Sequence, residues 1–450
     1  MNTQENKYKS FIKRTTSIVV AVVFSLSLTC TPSSFAFADS RSSDYIVSGN
    51  VEERGLGASE APNIFATNAI LKTSDGKVLF SRDADAEVKI ASLTKIMTAT
   101  VALENSSLDK QIVVSENAVS TGGSNAGLSA GDTMTLSEAL YALMIPSGND
   151  AATAIAESVG KDLANTSDSQ AGYDAFVAKM NSRASELGCT HTKFTNPHGL
   201  DEDQFSSDSH SSANDLMTII ENAMKIDAFK EAVKNSSHDL SYTNNGEKKT
   251  KTLESTDELL DVYDGACGIK TGTTDLAGYC FAGACERDGV MLYSVVLGSS
   301  DDSTRFEDTK NLFNWYFNNV VDYKFSNAEN DIVAQVSNSA WLDKTIAAKL
   351  EDTSASAKVF KYDGNVSQHF TFNNVSGAVK AGDVVGHVDF IQDNKVISAQ
   401  NVVAAEDCDA PDFLTSLSFG LTRFVHNFTG EANSATTQIL NDTPLLIKFN

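Results

Sequence analysis

Ser92-Leu93-Thr94-Lys95 sets a hydroxyl and an amine three residues apart. Three residues is just under one helical turn, so on a helix the two side chains share a face. A serine needs a base to lose its proton, and a lysine serves where burial and neighbouring cations lower its pKa. A helix start also offers backbone N–H groups to an oxyanion formed there. The spacing alone says little, because it recurs at Ser10/Lys13, Ser74/Lys77, Ser107/Lys110 and Ser158/Lys161. Ser147-Gly148-Asn149 falls between two expected helices, where a serine can relay a proton and an asparagine can bind a peptide amide. Lys270-Thr271-Gly272 opens an apolar hairpin. Its lysine supplies charge, its threonine a hydroxyl, and its glycine lets a substrate backbone approach an edge strand. Singly, the three read as a solvated pair, a turn and a strand start. Together, in this order and in these contexts, they carry weight that none has alone.

Several elements must position them. Ala69-Ile70-Leu71, Ser74-Asp75-Gly76 and Val78-Leu79-Phe80 predict a hairpin. Leu93, Ile96, Met97 and Val101 repeat at helical spacing within Ser92–Leu103. Thr135 with Glu138 predicts a capping box for a helix that stops before Pro146. Asp150 is expected to cap a helix from Ala151 to Val159 that ends at Gly160. Further helices are expected over Ala171–Leu187, around Leu216–Met224, and over Asp308–Val320. Cys280–Cys285 and Val290–Leu297 flank Asp288-Gly289, a strong hairpin signal. After about Lys324 the pattern becomes short strands: Ile332–Val336, Lys358–Tyr362, His369–Phe372, Val384–Phe390 and Val396–Ala404. Phe413, Leu417, Leu421, Phe424, Val425 and Phe428 then share one helical face, and the rest to Asn450 reads as a featureless tail.

Composition narrows the class. The 450 residues allow two to four domains, and 41% hydrophobic with 21% charged residues is ordinary for a soluble globular chain. A net charge of -24 argues against nucleic acid and against non-specific adhesion to anionic lipid. The N-terminus predicts an export signal. Lys7, Lys9, Lys13 and Arg14 precede the apolar Ser17–Leu28, and Ala36-Phe37-Ala38 offers a cleavage site after Ala38. The five cysteines after it, Cys189, Cys267, Cys280, Cys285 and Cys408, form neither a disulfide framework nor a C-x-x-C pair. His191, His198 and His210 are too scattered for a metal motif and read as surface or loop residues. No metal or organic cofactor is expected.

The three motifs in this order are a set shared by penicillin-binding proteins and class A β-lactamases. The chain resembles the serine-type D-alanyl-D-alanine carboxypeptidases, low-molecular-mass penicillin-binding proteins of peptidase family S11. The likeness covers roughly residues 61–320. It includes Ala91–Thr98, Ser147–Ala152, Phe194-Thr195-Asn196-Pro197-His198-Gly199-Leu200, Ser211-Ser212-Ala213, Gly268–Gly272 and Ala277-Gly278-Tyr279. The β-domain resembles the family's C-terminal domain more weakly. The resemblance implies an α+β fold: a transpeptidase/β-lactamase-like domain, with an antiparallel sheet flanked by helices and a helical subdomain, then a small all-β domain. The implied division is signal peptide 1–38, disordered leader 39–60, penicillin-binding domain 61–322, β-domain 323–411, amphipathic helix 412–428 and tail 429–450.

Carried over, the resemblance makes Ser92 the nucleophile and Lys95 its base. Ser147 and Asn149 line the site, and Lys270 binds charge and helps protonate the leaving group. Thr271, Gly272 and Thr273 contact substrate, the N–H groups of Ser92 and Thr273 form the oxyanion hole, and Arg305 engages the terminal carboxylate. The implied reaction removes the terminal D-alanine of peptidoglycan stem peptides through an acyl-enzyme, with β-lactams as covalent inhibitors. The implied location is extracytoplasmic, at the cell envelope. Two other readings stay open: a class A-like β-lactamase, and a catalytically silent cell-wall binder. Asn214 stands where relatives often have arginine, Thr273 where they have a larger residue, and Cys267 is unusual before the Lys270 strand. Phe413–Phe428 lies where relatives carry a membrane anchor, but its polar face holds only Arg423 and His426 as cations. Membrane-surface contact and packing on the β-domain are both open for it.

Overall fold

The computed structural model describes residues 43–326 and 331–440. The predicted signal peptide therefore lies outside the described residues. The chain divides into two compact units between Phe313 and Asn314, inside the helix Asp302–Asn318.

The first unit is built around an antiparallel sheet. Its strands are β1 (Tyr45–Ile46), β2 (Asn68–Thr73), β3 (Val78–Arg82), β8 (Ala266–Thr274), β9 (Gly278–Arg287) and β10 (Val290–Ser299), in the order β1-β3-β2-β10-β9-β8. β2 and β3 form the expected hairpin. β9 and β10 turn at Asp288 and Gly289, both with positive φ, which suits a tight two-residue hairpin loop. A second sheet joins β4 (Gln111–Val113), β5 (Thr133–Thr135), β6 (Ser237–Asn244) and β7 (Glu247–Glu254). The β6–β7 hairpin was not expected, although Asn245-Gly246 supplies its turn. Its strands are mostly polar and exposed, so they carry little hydrophobic alternation.

β1 overturns the expectation of a disordered leader over 39–60 for its described part, residues 43–60. Tyr45 pairs with Ser81 and Ile46 with Phe80. Asp44 is buried on Arg82, with Nε to Oδ1 at 2.9 Å and Nη2 to Oδ2 at 2.6 Å. A bidentate charge pair and the buried Ile46, Val47 and Val51 tie down a segment whose composition looks polar.

Helix Asn149–Ala164 runs through the core, with residues 149–160 all buried. Here the expectation was wrong at both ends. Asp150 does not cap the helix; it is buried and takes the N–H groups of Ala126 (2.9 Å) and Leu128 (3.0 Å). Gly160 does not end it either. A Cβ there would lie 1.9 Å from the Gly172 carbonyl oxygen of helix Ser169–Glu186, so the glycine serves close helix packing. Helix Leu136–Met144 stops before Pro146 as expected, but only half of its capping box forms. Thr135 Oγ1 accepts from Glu138 N–H at 3.2 Å, whereas the Glu138 carboxylate goes to Ser241 N–H at 2.8 Å.

In the second unit a six-stranded antiparallel sheet forms among the described residues. Its core includes Val333, Ile346, Val388, Phe390 and Val402. Strands over 320–324 and 345–350 were not foreseen. The tail is not featureless: Gln438–Ile439 pairs with Gln335 and Ala334. Helix Phe413–Thr429 is capped by Asp412, whose Oδ1 accepts from Thr415 N–H at 2.8 Å.

Candidate active site

Ser92 sits in a 3₁₀ turn, Ala91–Leu93, that runs straight into helix Thr94–Asn105. Ala91 before it has φ +48°, a left-handed conformation that costs a non-glycine residue energy and is characteristic of functional sites. The turn lies against β8. A Cβ on Gly272 would come within 3.1 Å of Ser92 N and 3.0 Å of Ile90 O. A side chain there would press on the turn, so the glycine lets β8 lie close against the serine.

Lys95 is fully buried one helical step below Ser92. Its Nζ lies 2.8 Å from Ser92 Oγ, 2.6 Å from Asn149 Oδ1 and 2.8 Å from the His198 carbonyl oxygen. Burial and then the nearby Lys270 hold its pKa well below the usual lysine value, while Asp150 opposes them. The amine is thus drawn toward its neutral form beside a hydroxyl, which is what a serine nucleophile requires.

Asn149 links two parts of the site. Its Oδ1 meets Lys95, and its Nδ2 donates to Gly122 O at 2.8 Å. Ser147, two residues earlier, is buried with φ +61°. Its hydroxyl has no hydrogen-bond partner among the described residues.

β8 carries the third element. Lys270 pairs in register with Ala282 of β9, is buried, and donates from Nζ to the Thr271 carbonyl oxygen at 3.0 Å. Burial, then Arg305, brings its pKa down to about 7, against the pull of Asp257. Thr271 Oγ1 lies 2.6 Å from Thr256 Oγ1. Arg305 is buried at the start of helix Asp302–Asn318. Its Nη1 donates to Thr273 Oγ1 at 2.9 Å and more loosely to Gly272 O at 3.4 Å. Its Nη2 pairs with Asp302.

The structure therefore brings Ser92, Lys95, Asn149, Lys270, Thr271, Gly272, Thr273 and Arg305 into one contact network. Sequence reasoning missed three of its members. His198 is buried rather than on the surface, and burial drops its imidazole to about 3. Its Nδ1 accepts from Leu200 N–H at 3.2 Å, so the neutral ring carries its proton on Nε2. Asp150 was given a capping role, yet its charge bears on Lys95. Asp257 is buried beside Lys270 and Arg305, and burial pushes it up to about 6. Nothing in the local sequence pattern separates it from a loop aspartate. Asn214 donates to Asp85 Oδ1 at 2.9 Å on the surface, so that departure bears on a surface contact. The cysteines described are all free, and burial raises the Cys267 thiol, which disfavours a reactive thiolate. Among the described residues no cluster of histidine, cysteine and carboxylate groups is suited to hold a metal ion.

The family model for the D-alanyl-D-alanine carboxypeptidases, peptidase S11, matches residues 57–301, which hold all of these groups except Arg305. The chain belongs to that family. Among its relatives, the D-alanyl-D-alanine carboxypeptidase DacF of Bacillus subtilis is 29% identical over 406 residues, 87% of this chain and 94% of the relative. The D-alanyl-D-alanine carboxypeptidase of Streptomyces sp. strain K15 is 33% identical over 276 residues, 58% of this chain and 92% of the relative. The crystal structure of the Streptomyces K15 DD-transpeptidase superposes with a TM-score of 0.53 at 33% identity, covering 57% of this chain and 98% of that one. The first unit thus has the transpeptidase fold of the family, and the appended β-unit follows it as a separate body.

Proposed function

We propose that this chain is a serine-type D-Ala-D-Ala carboxypeptidase that removes the terminal D-alanine of peptidoglycan stem peptides through an acyl-ester on Ser92. The observation that carries the assignment is the 2.8 Å contact between Ser92 Oγ and a buried Lys95 Nζ whose proton affinity is depressed. Lys95 takes the hydroxyl proton as Oγ bonds to the carbonyl carbon of the fourth residue. The N–H groups of Ser92 and Thr273 hold the oxyanion. The C–N bond then breaks, and the proton passes from the Lys95 ammonium through Ser147 and Lys270 to the leaving amine. A water molecule repeats the sequence on the ester, releasing the shortened stem and restoring the serine. Lys270 and Arg305 supply the positive charge, and Thr271 a hydroxyl, that hold the departing carboxylate.

β-Lactams present a strained carbonyl to the same serine and acylate it. The chemistry belongs outside the cytoplasm, where its polymer substrate lies and where the export signal over 1–38 directs the chain. The second unit suggests how it stays there. Helix Phe413–Thr429 exposes Phe413 (79%), Leu421 (66%), Phe424 (63%) and Phe428 (77%), while Arg423 Nη2 on the other side donates to Ser339 O at 2.6 Å. The polar face thus grips the β-unit, and the apolar face is left for a membrane surface.

The test uses the mature protein, a D-Ala-D-Ala-ended peptide and fluorescent penicillin. The protein releases D-Ala and gains a covalent label whose mass and position map to Ser92. Ser92→Ala abolishes both; retention of either by that variant would sink the assignment. Rapid, repeated turnover of penicillin would favour the β-lactamase reading, and peptide binding without acylation the silent binder.

A further inference from the structure

A polar cavity of about 360 Å³ adjoins the active site on the side of the helices. Two of its lining residues join it to that site. Thr121 precedes Gly122, whose carbonyl Asn149 holds at 2.8 Å. His198 gives its carbonyl to Lys95 at 2.8 Å. One residue's breadth beyond that contact puts the cavity on the order of 10 Å from Ser92 Oγ. Gln204 and Phe205 line it as well. They belong to a loop tied to the end of β8 farther from Lys270, where Asp201 Oδ2 accepts from Thr274 Oγ1 at 2.9 Å.

The lining carries no charge. It includes no lysine, arginine, aspartate or glutamate. His198 is its one histidine, and burial keeps that ring neutral. Burial also raises the Tyr173 phenol, which stays protonated. Apart from these rings and Phe205, the lining side chains are hydroxyls and carboxamides. Such a surface offers no counter-charge to a carboxylate, a phosphate or an ammonium group. It suits a neutral ligand that carries hydroxyl and amide groups on an apolar frame.

Two polar groups of the lining are unused by the protein. His198 is 1% exposed. Its backbone N–H donates to Asn196 Oδ1 at 3.2 Å, and its Nδ1 accepts from Leu200 N–H at 3.2 Å. Nε2–H remains, without an acceptor among the described residues. The Tyr173 hydroxyl has no partner among them either. A buried donor left unmade is costly, and an acceptor that enters the cavity removes the cost.

The polymer that carries the stem peptide supplies a ligand of this kind. Its glycan is made of N-acetylated amino sugars, each with hydroxyls, an amide and an apolar ring face, and the first stem residue is attached to one of them. Lys270 and Arg305 hold the departing end, so the upstream residues run toward the Thr274 end of β8. Four residues separate the scissile bond from the sugar, about 13 Å of extended chain at about 3.3 Å each. One substrate molecule can span Ser92 and the cavity together.

We propose that this uncharged cavity is a glycan subsite that takes an N-acetylated amino sugar of the strand bearing the stem peptide, with His198 Nε2, the Tyr173 hydroxyl and Gln204 as its hydrogen-bonding groups. The proposal rests on the carboxypeptidase reading and extends its substrate from the peptide to the glycan. The experiment compares a disaccharide-pentapeptide with the same pentapeptide acylated at its N-terminus, so that the two share every residue around the scissile bond. Two or three neutral hydrogen bonds predict kcat/KM for D-Ala release about 10-fold higher with the sugar attached, chiefly through KM. Because no charges are involved, that ratio holds between 50 mM and 500 mM salt. Tyr173→Phe, which removes one hydroxyl, and Gln204→Ala, at an exposed position, each lower the ratio, and together they bring it close to one. A ratio near one in the unaltered protein overturns the proposal, as does a ratio that the double variant leaves intact or one that salt abolishes. Absence of D-Ala release from both substrates, together with absence of penicillin labelling, overturns the parent reading instead and this proposal with it.

Discussion

The pocket around Ser92 and the helix Phe413–Thr429 invert the usual arrangement of side chains in opposite ways. In the pocket, two lysines and an arginine are buried. On the helix, seven large apolar side chains are exposed. Neither arrangement helps a chain to fold: buried cations lose hydration, and exposed phenylalanines forgo the gain of leaving water. The two differ in what relieves the cost. The pocket is closed by partners within the first unit, so Lys95 has three oxygen neighbours and its charge is tuned. The helix has capping and polar-face bonds in its own unit, while its apolar stripe has no cover among the described residues. One inversion is completed inside the protein and points to chemistry; the other is left incomplete and points to a surface outside it.

Substitutions should separate the two regions cleanly. The largest effect is expected from Lys95→Met, which keeps volume but removes the base. Second-order acylation by penicillin should fall about 1,000-fold. A decrease below 10-fold would break the contrast, because the buried amine would then be structural. Next comes pH. Lys270 titrates at about 7, so its cation is present below that pH and is lost as pH rises through it. The kcat/KM for peptide should therefore decline on the alkaline side with about a tenfold loss per unit once Lys270 is neutral. Lys270→Arg, which stays charged, should move that limb upward; an unchanged limb would assign it to another group. The smallest effect on the catalyst is expected from Phe424→Ser with Phe428→Ser. Both side chains are exposed, so unfolding free energy should change by no more than about 0.5 kcal/mol and peptide turnover should be unaltered. Flotation with neutral lipid vesicles should nonetheless be lost. Vesicle binding that survives the double substitution would show that the stripe is not the membrane contact.

Much of the first region was legible from the chain. The Ser92–Lys95 spacing, the Pro146 stop and the Asp288-Gly289 turn are local signals, and each reappears where it was read. What misled was equally local in origin. Asp150 and Gly160 carry the residue types of a cap and a stop, yet one clamps the loop at 126–128 and the other lets two helices touch. His198 lies in a polar loop by sequence, and only its packing against Phe205 and the Lys95 helix buries it. The polar segment over 43–60 was misread for a similar reason: its stability comes from Arg82 and strand β3, more than thirty residues away.

The sequence by itself determined which reactive groups exist, their order, and the short-range geometry that sets a hydroxyl above an amine. That much follows from helical rise and turn chemistry, which act within a few residues. Only the tertiary structure decided the state of those groups. Whether Lys95 is neutral, and where Lys270 and Asp257 titrate, all depend on burial and on charges contributed by distant segments. Desolvation and Coulomb interactions are properties of the assembled interior, and no local run of residues encodes them.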